Sequence, residues 1–151
     1  MIRLSKLTDY AFVILTEMTK NMDKKMPVSA LSSATSLSKP TVSKVLKVLS
    51  KNKMVSSVRG INGGYFLAMN PDDISLARVV GVMEGDIAFT DCVNDNTCII
   101  KDNCALKGCW NPINDVMKTI LDGVYISDLS KGNQSSFFAK AITSLKNVEF
   151  G

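Results

Sequence analysis

The chain has 151 residues, 46% of them hydrophobic and 21% charged, the composition of an ordinary globular protein and not of a disordered one. That length holds one compact domain plus an appendage and is too short for two full domains. No apolar run approaches the roughly 18 residues of a membrane span. The opening residues show neither the apolar core nor the small-residue cleavage site of a signal peptide. The expectation is a cytoplasmic protein with no membrane partner. Net charge is +4, but residues 1–67 carry eleven Lys/Arg against three Asp/Glu, a balance of +8. Residues 68–151 carry seven against eleven, a balance of −4. A polyanion is drawn to the first half and mildly repelled by the second. There is no histidine, which removes the commonest general base and the Ser–His and Cys–His nucleophile pairs. With no phosphate-binding loop either, the chain does not read as an enzyme.

Residues 7–21 read as a first helix, with Ala11, Ile14, Leu15 and Met18 at helical spacing, Thr8 as cap and Asp9 in the first turn. A polar turn from Asn21 to Pro27 leads to a short helix starting at Ser29, which Thr35-Ser36-Leu37 breaks. Ser38 caps the next helix, with Pro40 in its first turn, where proline costs nothing. That helix runs to about Asn52 on a stripe of Val42, Val45, Leu46 and Leu49, and its other face carries Ser43, Lys44, Lys47 and Lys51. Met54–Val58 and Tyr65–Ala68 read as paired strands around the glycine-rich Arg59–Gly64. Asp72, Asp73 and Ser75 cap a helix from Leu76 to about Glu84. Residues 86–109 show no period and contain all four cysteines. A long helix then opens with Asn111 as cap and Pro112 in its first turn, on a stripe of Ile113, Val116, Met117, Ile120, Leu121 and Val124. From Lys131 the pattern is weak, and Ser135 to Leu145 reads either as a short helix or as a docked tail.

Two short helices, a tight turn and a helix with a small polar and basic outer face form a helix-turn-helix pattern. Hydroxyl residues near the start of such a recognition helix enter the major groove, and lysines further along neutralise phosphates. The candidate DNA-contacting residues are Ser38, Thr41, Ser43 and Lys44, with Lys47 on the backbone. The hairpin is a wing, and Arg59 and Gly60 at its tip suit a narrow minor groove, where guanidinium is favoured. The alternative, ordinary amphipathic helices with solvated lysines, explains each element singly but not their order.

Several segments also resemble the Rrf-type family of winged-helix iron–sulfur transcriptional regulators, with its IscR- and NsrR-like branches. They are Arg3-Leu4-Ser5-Lys6-Leu7-Thr8-Asp9-Tyr10-Ala11, Val55-Ser56-Ser57-Val58-Arg59-Gly60, Gly63-Gly64-Tyr65, Ile74-Ser75-Leu76 and Val82-Met83-Glu84-Gly85. The likeness extends over residues 1–129, and the opening is similar to the branch that regulates SUF iron–sulfur assembly genes. It implies a homodimer joined by the long helix, palindromic double-stranded operators, and a cluster that modulates DNA binding.

The cysteines fall in one 18-residue window, Cys92-x5-Cys98-x5-Cys104-x4-Cys109. Such clustering in a cytosolic protein points to metal or redox chemistry before disulfides. Thiolates are the standard ligands of iron–sulfur clusters. The close cysteine pairs of structural zinc sites are absent, and a metal-free reactive thiol beside Lys101 or Lys107 is a further alternative. The resemblance assigns Cys92, Cys98 and Cys104 as ligands of a 2Fe–2S or 4Fe–4S cluster. It breaks at the fourth position, where IscR-like members place histidine and this chain has Lys107, whose ammonium has no lone pair to offer. Cys109 or Asp9 of the partner subunit, the latter matching NsrR-like members, remain open as the fourth ligand.

The expected fold is mainly α with a small β-hairpin wing, a winged helix-turn-helix plus a long dimerisation helix. Residues 1–85 are the DNA-binding domain, 86–109 the cluster loop, 110–130 the dimerisation helix and 131–151 a tail. The expected function is repression of SUF-type genes under control of the cluster. A nitric-oxide or redox sensor on the same scaffold is the alternative within the class. A small redox protein or cluster carrier that binds no DNA is the rival from another class, though such a carrier needs neither the basic half nor the wing.

Overall fold

In the computed structural model the described residues are 3–90, 93, 100, 103–106, 108–132, 139–143 and 145. Three helices come first: α1 (Lys6–Lys20), α2 (Val28–Thr35) and α3 (Lys39–Lys51). They meet through their apolar stripes. Ala11, Ile14 and Leu15 of α1, Leu31 of α2, and Val42, Val45, Leu46 and Leu49 of α3 are all fully buried. Each large aliphatic side chain hidden this way contributes about 1.5–3 kcal/mol, so this one cluster fixes the mutual placement of the helices.

Strands β1 (Val55–Val58) and β2 (Gly64–Leu67) form an antiparallel hairpin, with Val55 opposite Leu67 and Val58 opposite Gly64. A third short pairing, Met26 with Tyr65, ties the hairpin to the residue pair before α2. It is made by two backbone hydrogen bonds of 2.8 Å. Here glycine is required by space: a Cβ on Gly64 would lie 2.8 Å from the Met26 carbonyl carbon. The hairpin is thus pinned at its base and projects as a wing.

A 3-10 turn (Pro71–Asp73) precedes α4 (Leu76–Glu84), which packs on α1 and α3. Ser75 alone caps α4, accepting the Arg78 N–H at 3.1 Å. Asp72 and Asp73 belong to the 3-10 turn, which Asn70 caps. The first helix differs from expectation in a similar way. Its cap is Ser5, while Thr8 is fully buried and donates its hydroxyl to Glu84 at the end of α4.

The long helix expected over 110–130 is two helices, α5 (Trp110–Asp122) and α6 (Ile126–Lys131). Neither Asn111 nor any other side chain caps α5, because Cys109 occupies the cap position without a capping bond. Val124, the last residue of the expected stripe, lies between the helices. Its carbonyl accepts the Leu76 N–H at 2.8 Å, the Ile126 N–H bonds the Ile74 carbonyl at 3.0 Å, and Val124 is 1% exposed. These long-range bonds stop the helical period and turn α6 back onto α1. Residues 139–143 are helical, with Ala141 in the core and Lys140 Nζ 2.5 Å from Asp128 Oδ1.

Candidate nucleic-acid interface and cysteine loop

The structure gathers five of the expected contact residues on α3. Ser38 is the cap, its Oγ accepting the Thr41 N–H at 3.4 Å and lying 2.8 Å from Thr41 Oγ1. The two hydroxyls therefore set the helix start as well as offering polar atoms to a partner. Ser43, Lys44 and Lys47 are exposed, and Lys51 continues their face one turn on. Because the opposite stripe is fully buried, that face cannot rotate inward without dismantling the core.

Arg59 and Gly60 sit in the turn between β1 and β2, and both are exposed. Gly60 has φ +118°, which L side chains rarely adopt, and its carbonyl closes the turn by accepting the Gly63 N–H at 3.0 Å. Ile61, two residues beyond Arg59, was not singled out from the sequence, yet at 105% relative exposure it is the most exposed large apolar residue among the described residues. A lone isoleucine flanked by glycines and asparagine was the available signal, since nothing in such a turn can bury it.

Glu84 joins the start of α1 to the root of the cysteine loop. Its carboxylate accepts the Ser5 N–H at 2.8 Å and the Thr8 hydroxyl. Those bonds, from the Thr8 and Ser5 side chains and then the Ser5 backbone, hold its pKa below the ordinary value. The chain then enters the loop through Gly85 at φ +93°. In the loop, the Phe89 N–H reaches Oδ1 of buried Asn114 at 3.3 Å, which anchors this end to α5.

Cys104 is half-buried and Cys109 exposed, both as free thiols, and Cys109 ends the loop at the start of α5. Cys92, Cys98 and Lys107 lie outside the described residues. Asp9 is exposed in the first turn of α1. Among the described residues no group of three or more Cys, Asp or Glu gathers as metal ligands. As a donor set, free thiols in irregular backbone with no competing histidine fit an iron–sulfur group better than a hard cation.

A capped, lysine-faced helix set by a buried trihelical core, with a pinned glycine-tipped hairpin beside it, defines a winged helix-turn-helix protein of the kind that regulates transcription. The chain belongs to the Rrf2 family, described as iron-dependent transcriptional regulators, whose model matches residues 4–132. It is 30% identical over 130 residues to the HTH-type transcriptional regulator NsrR of Bacillus licheniformis, covering 84% of this chain and 91% of that one. It is 25% identical over 128 residues to the regulator IscR of Escherichia coli O1:K1 / APEC, covering 84% and 79%. Its structure is similar to that of CymR, the global cysteine regulator of B. subtilis, with a TM-score of 0.73 and 25% identity. That likeness covers 88% of this chain and 99% of CymR. These relatives are transcriptional regulators and not enzymes, and no described helix is long and apolar enough to cross a membrane.

Proposed function

We propose that this regulator is a homodimeric, operator-binding repressor of iron–sulfur assembly (SUF-type) genes, and that a cluster held by Cys92, Cys98 and Cys104 modulates its DNA binding. The observation that carries the reading is four thiols within 18 residues, in the loop that follows a winged helix, in a family described as iron-dependent. The DNA-contacting set is Ser38, Thr41, Ser43, Lys44 and Lys47 on α3 with Arg59 and Gly60 on the wing. A bound cluster supplies a redox- and iron-sensitive group at the loop. What its presence adds to operator affinity, operator binding returns to cluster retention. Glu84 gives the loop a short connection to α1. Helix α5 supports a second subunit, because it leaves Ile113 50% and Met117 38% exposed on its apolar face.

Nitric-oxide or redox sensing on the same scaffold is the second reading. It draws on the missing histidine: with Lys107 unable to ligate, an oxygen ligand such as Asp9 of the partner subunit makes a more easily displaced fourth bond than a thiolate.

The visible spectrum and iron content of protein purified without oxygen test the proposal. Wild type should be coloured and contain iron, and Cys92→Ala, Cys98→Ala and Cys104→Ala should each lose both while keeping their helical circular dichroism. Asp9→Ala and Cys109→Ala, compared in the same way, identify the fourth ligand. A colourless, iron-free wild type would falsify the cluster reading.

A further inference from the structure

The tip of the wing carries a side chain that its own turn does not use. Gly60 to Gly63 form a four-residue turn, closed by the Gly63 N–H on the Gly60 carbonyl at 3.0 Å. The glycines set its shape. Gly60 has φ +118°, and a Cβ on Gly63 would lie 2.3 Å from the Val58 carbonyl oxygen. Ile61 holds the second position, where turn chemistry favours proline, and it is 105% exposed. It contributes no packing to the fold. Val58, at the end of β1, is 42% exposed as well, so apolar residues stand on both sides of Arg59 in sequence. A single exposed apolar residue is ordinary on a protein surface. One held at the point of a tightly folded projection, next to a cation, is placed to meet a partner.

The partner follows from what the wing is attached to. The Met54 N–H bonds the Leu49 carbonyl of α3 at 3.0 Å, and the Ala68 N–H bonds the Met54 carbonyl at 2.9 Å. The root of the hairpin is thereby tied to the helix that bears the lysine face. Strands of four residues, at about 3.4 Å each, carry the tip roughly 13 Å out from that root. The minor groove of DNA is about 6 Å wide, and a turn built on glycines enters it more readily than one with a side chain on every residue. An arginine there meets the negative potential of a narrow groove. An isoleucine meets instead the sugar edges and the groove floor, as other apolar side chains in minor grooves do. On that floor A·T pairs present acceptors alone, whereas guanine adds an exocyclic amino group. The amino group projects into the groove, so it obstructs a closely packed side chain and loses its water beneath one. An unpaired donor is costly, and a β-branched side chain, stiff at χ1, yields little to avoid it.

We infer that Ile61 enters the minor groove of the operator and selects against guanine there, a role separate from the charge of Arg59. The inference rests on the DNA-binding reading and not on the cluster. A duplex selected from a random library by the wild-type protein is resynthesised with 2,6-diaminopurine replacing adenine, one position at a time. That base adds the minor-groove amino group and keeps the major-groove pattern of adenine. At one or more positions it should weaken wild-type binding about fivefold or more, and Ile61→Ala binding by less than about twofold. Ile61→Ala should keep the wild-type Tm and salt slope, since it removes neither a buried contact nor a charge, whereas Arg59→Ala should make the slope shallower. Equal sensitivity of wild type and Ile61→Ala to diaminopurine at every position overturns the inference. A sedimentation coefficient altered by Ile61→Ala would make a second copy of the chain the partner and overturn it too. Wild type without salt-dependent duplex binding is a different failure, which takes down the DNA-binding reading first and this inference with it.

Discussion

Helices α3 and α5 are each 13 residues long, and each carries an apolar stripe at helical spacing. In α3 the stripe is wholly buried within the chain, and what faces outward is hydroxyl and lysine. In α5 the stripe is divided. Ile120 and Leu121 pack against the core, while Ile113 and Met117 remain exposed at 50% and 38%. The same sequence pattern thus describes a helix whose packing is complete and one whose packing is unfinished. The first can present a rigid polar face to DNA, and the second leaves an apolar surface that the proposed second subunit would cover.

The largest expected effect falls on α5. Ile113→Asp places a charge on the face proposed to be shared and should convert a dimer to monomers, with operator affinity falling along with it. Analytical ultracentrifugation at micromolar concentration reads the state. Wild-type protein already monomeric there would remove the contrast with α3. Ile120 is the poorer probe, since its partial burial in the chain's own core would confuse dissociation with unfolding.

The next effect tests the polar face of α3. Lys47→Ala should weaken binding to all duplexes alike and make the salt dependence shallower by about one counterion unit. Ser43→Ala should instead relax preference at particular base pairs, read by competition among altered sites. If Lys47→Ala changed sequence preference and not the salt slope, the roles assigned along this face would be wrong.

How much of this was legible follows from where each residue finds its partner. The start of α3 was readable because Ser38 and Thr41 complete the cap within one turn. Its buried stripe was readable because every member faces one core. The start of α1 was not. Ser5 and Thr8 are both hydroxyl residues, and the choice between them is made by Glu84, more than seventy residues away. The end of α5 was hidden more deeply, because Val124 continues the helical period while its carbonyl is claimed by Leu76. Pairing of Met26 with Tyr65 left no trace in composition at all. In the candidate site the α3 face and wing glycines could be read directly, whereas the anchoring of the cysteine loop by Asn114 shows only once Phe89 is set beside α5.

The smallest effect concerns bonds outside both helices, those that join the end of α4 to the start of α1 and α6 to residues 139–143. Glu84 is held below its ordinary pKa by Thr8 and Ser5. Burial pushes the Asp128 carboxyl up, but the Lys140 ammonium and the Tyr125 N–H outweigh it and hold that group low as well. A carboxylate with a depressed folded-state pKa contributes its stability above its unfolded value and loses it as pH falls through the folded value. Tm should therefore decline on acidification below the ordinary carboxylate range, and Glu84→Gln should flatten that decline while lowering Tm modestly at neutral pH. An unchanged acid limb in Glu84→Gln would show that the Ser5–Thr8–Glu84 contact contributes nothing there.

The central claim is that cluster state and DNA affinity are linked through this chain. Fluorescence anisotropy of a duplex selected from a random library by the iron-loaded protein tests it most directly, run with loaded and iron-stripped protein across a salt series. Binding should fall steeply with salt for both forms, with an affinity or sequence preference that differs between them. Indistinguishable curves for loaded and stripped protein, or no salt-dependent binding by either, would contradict it.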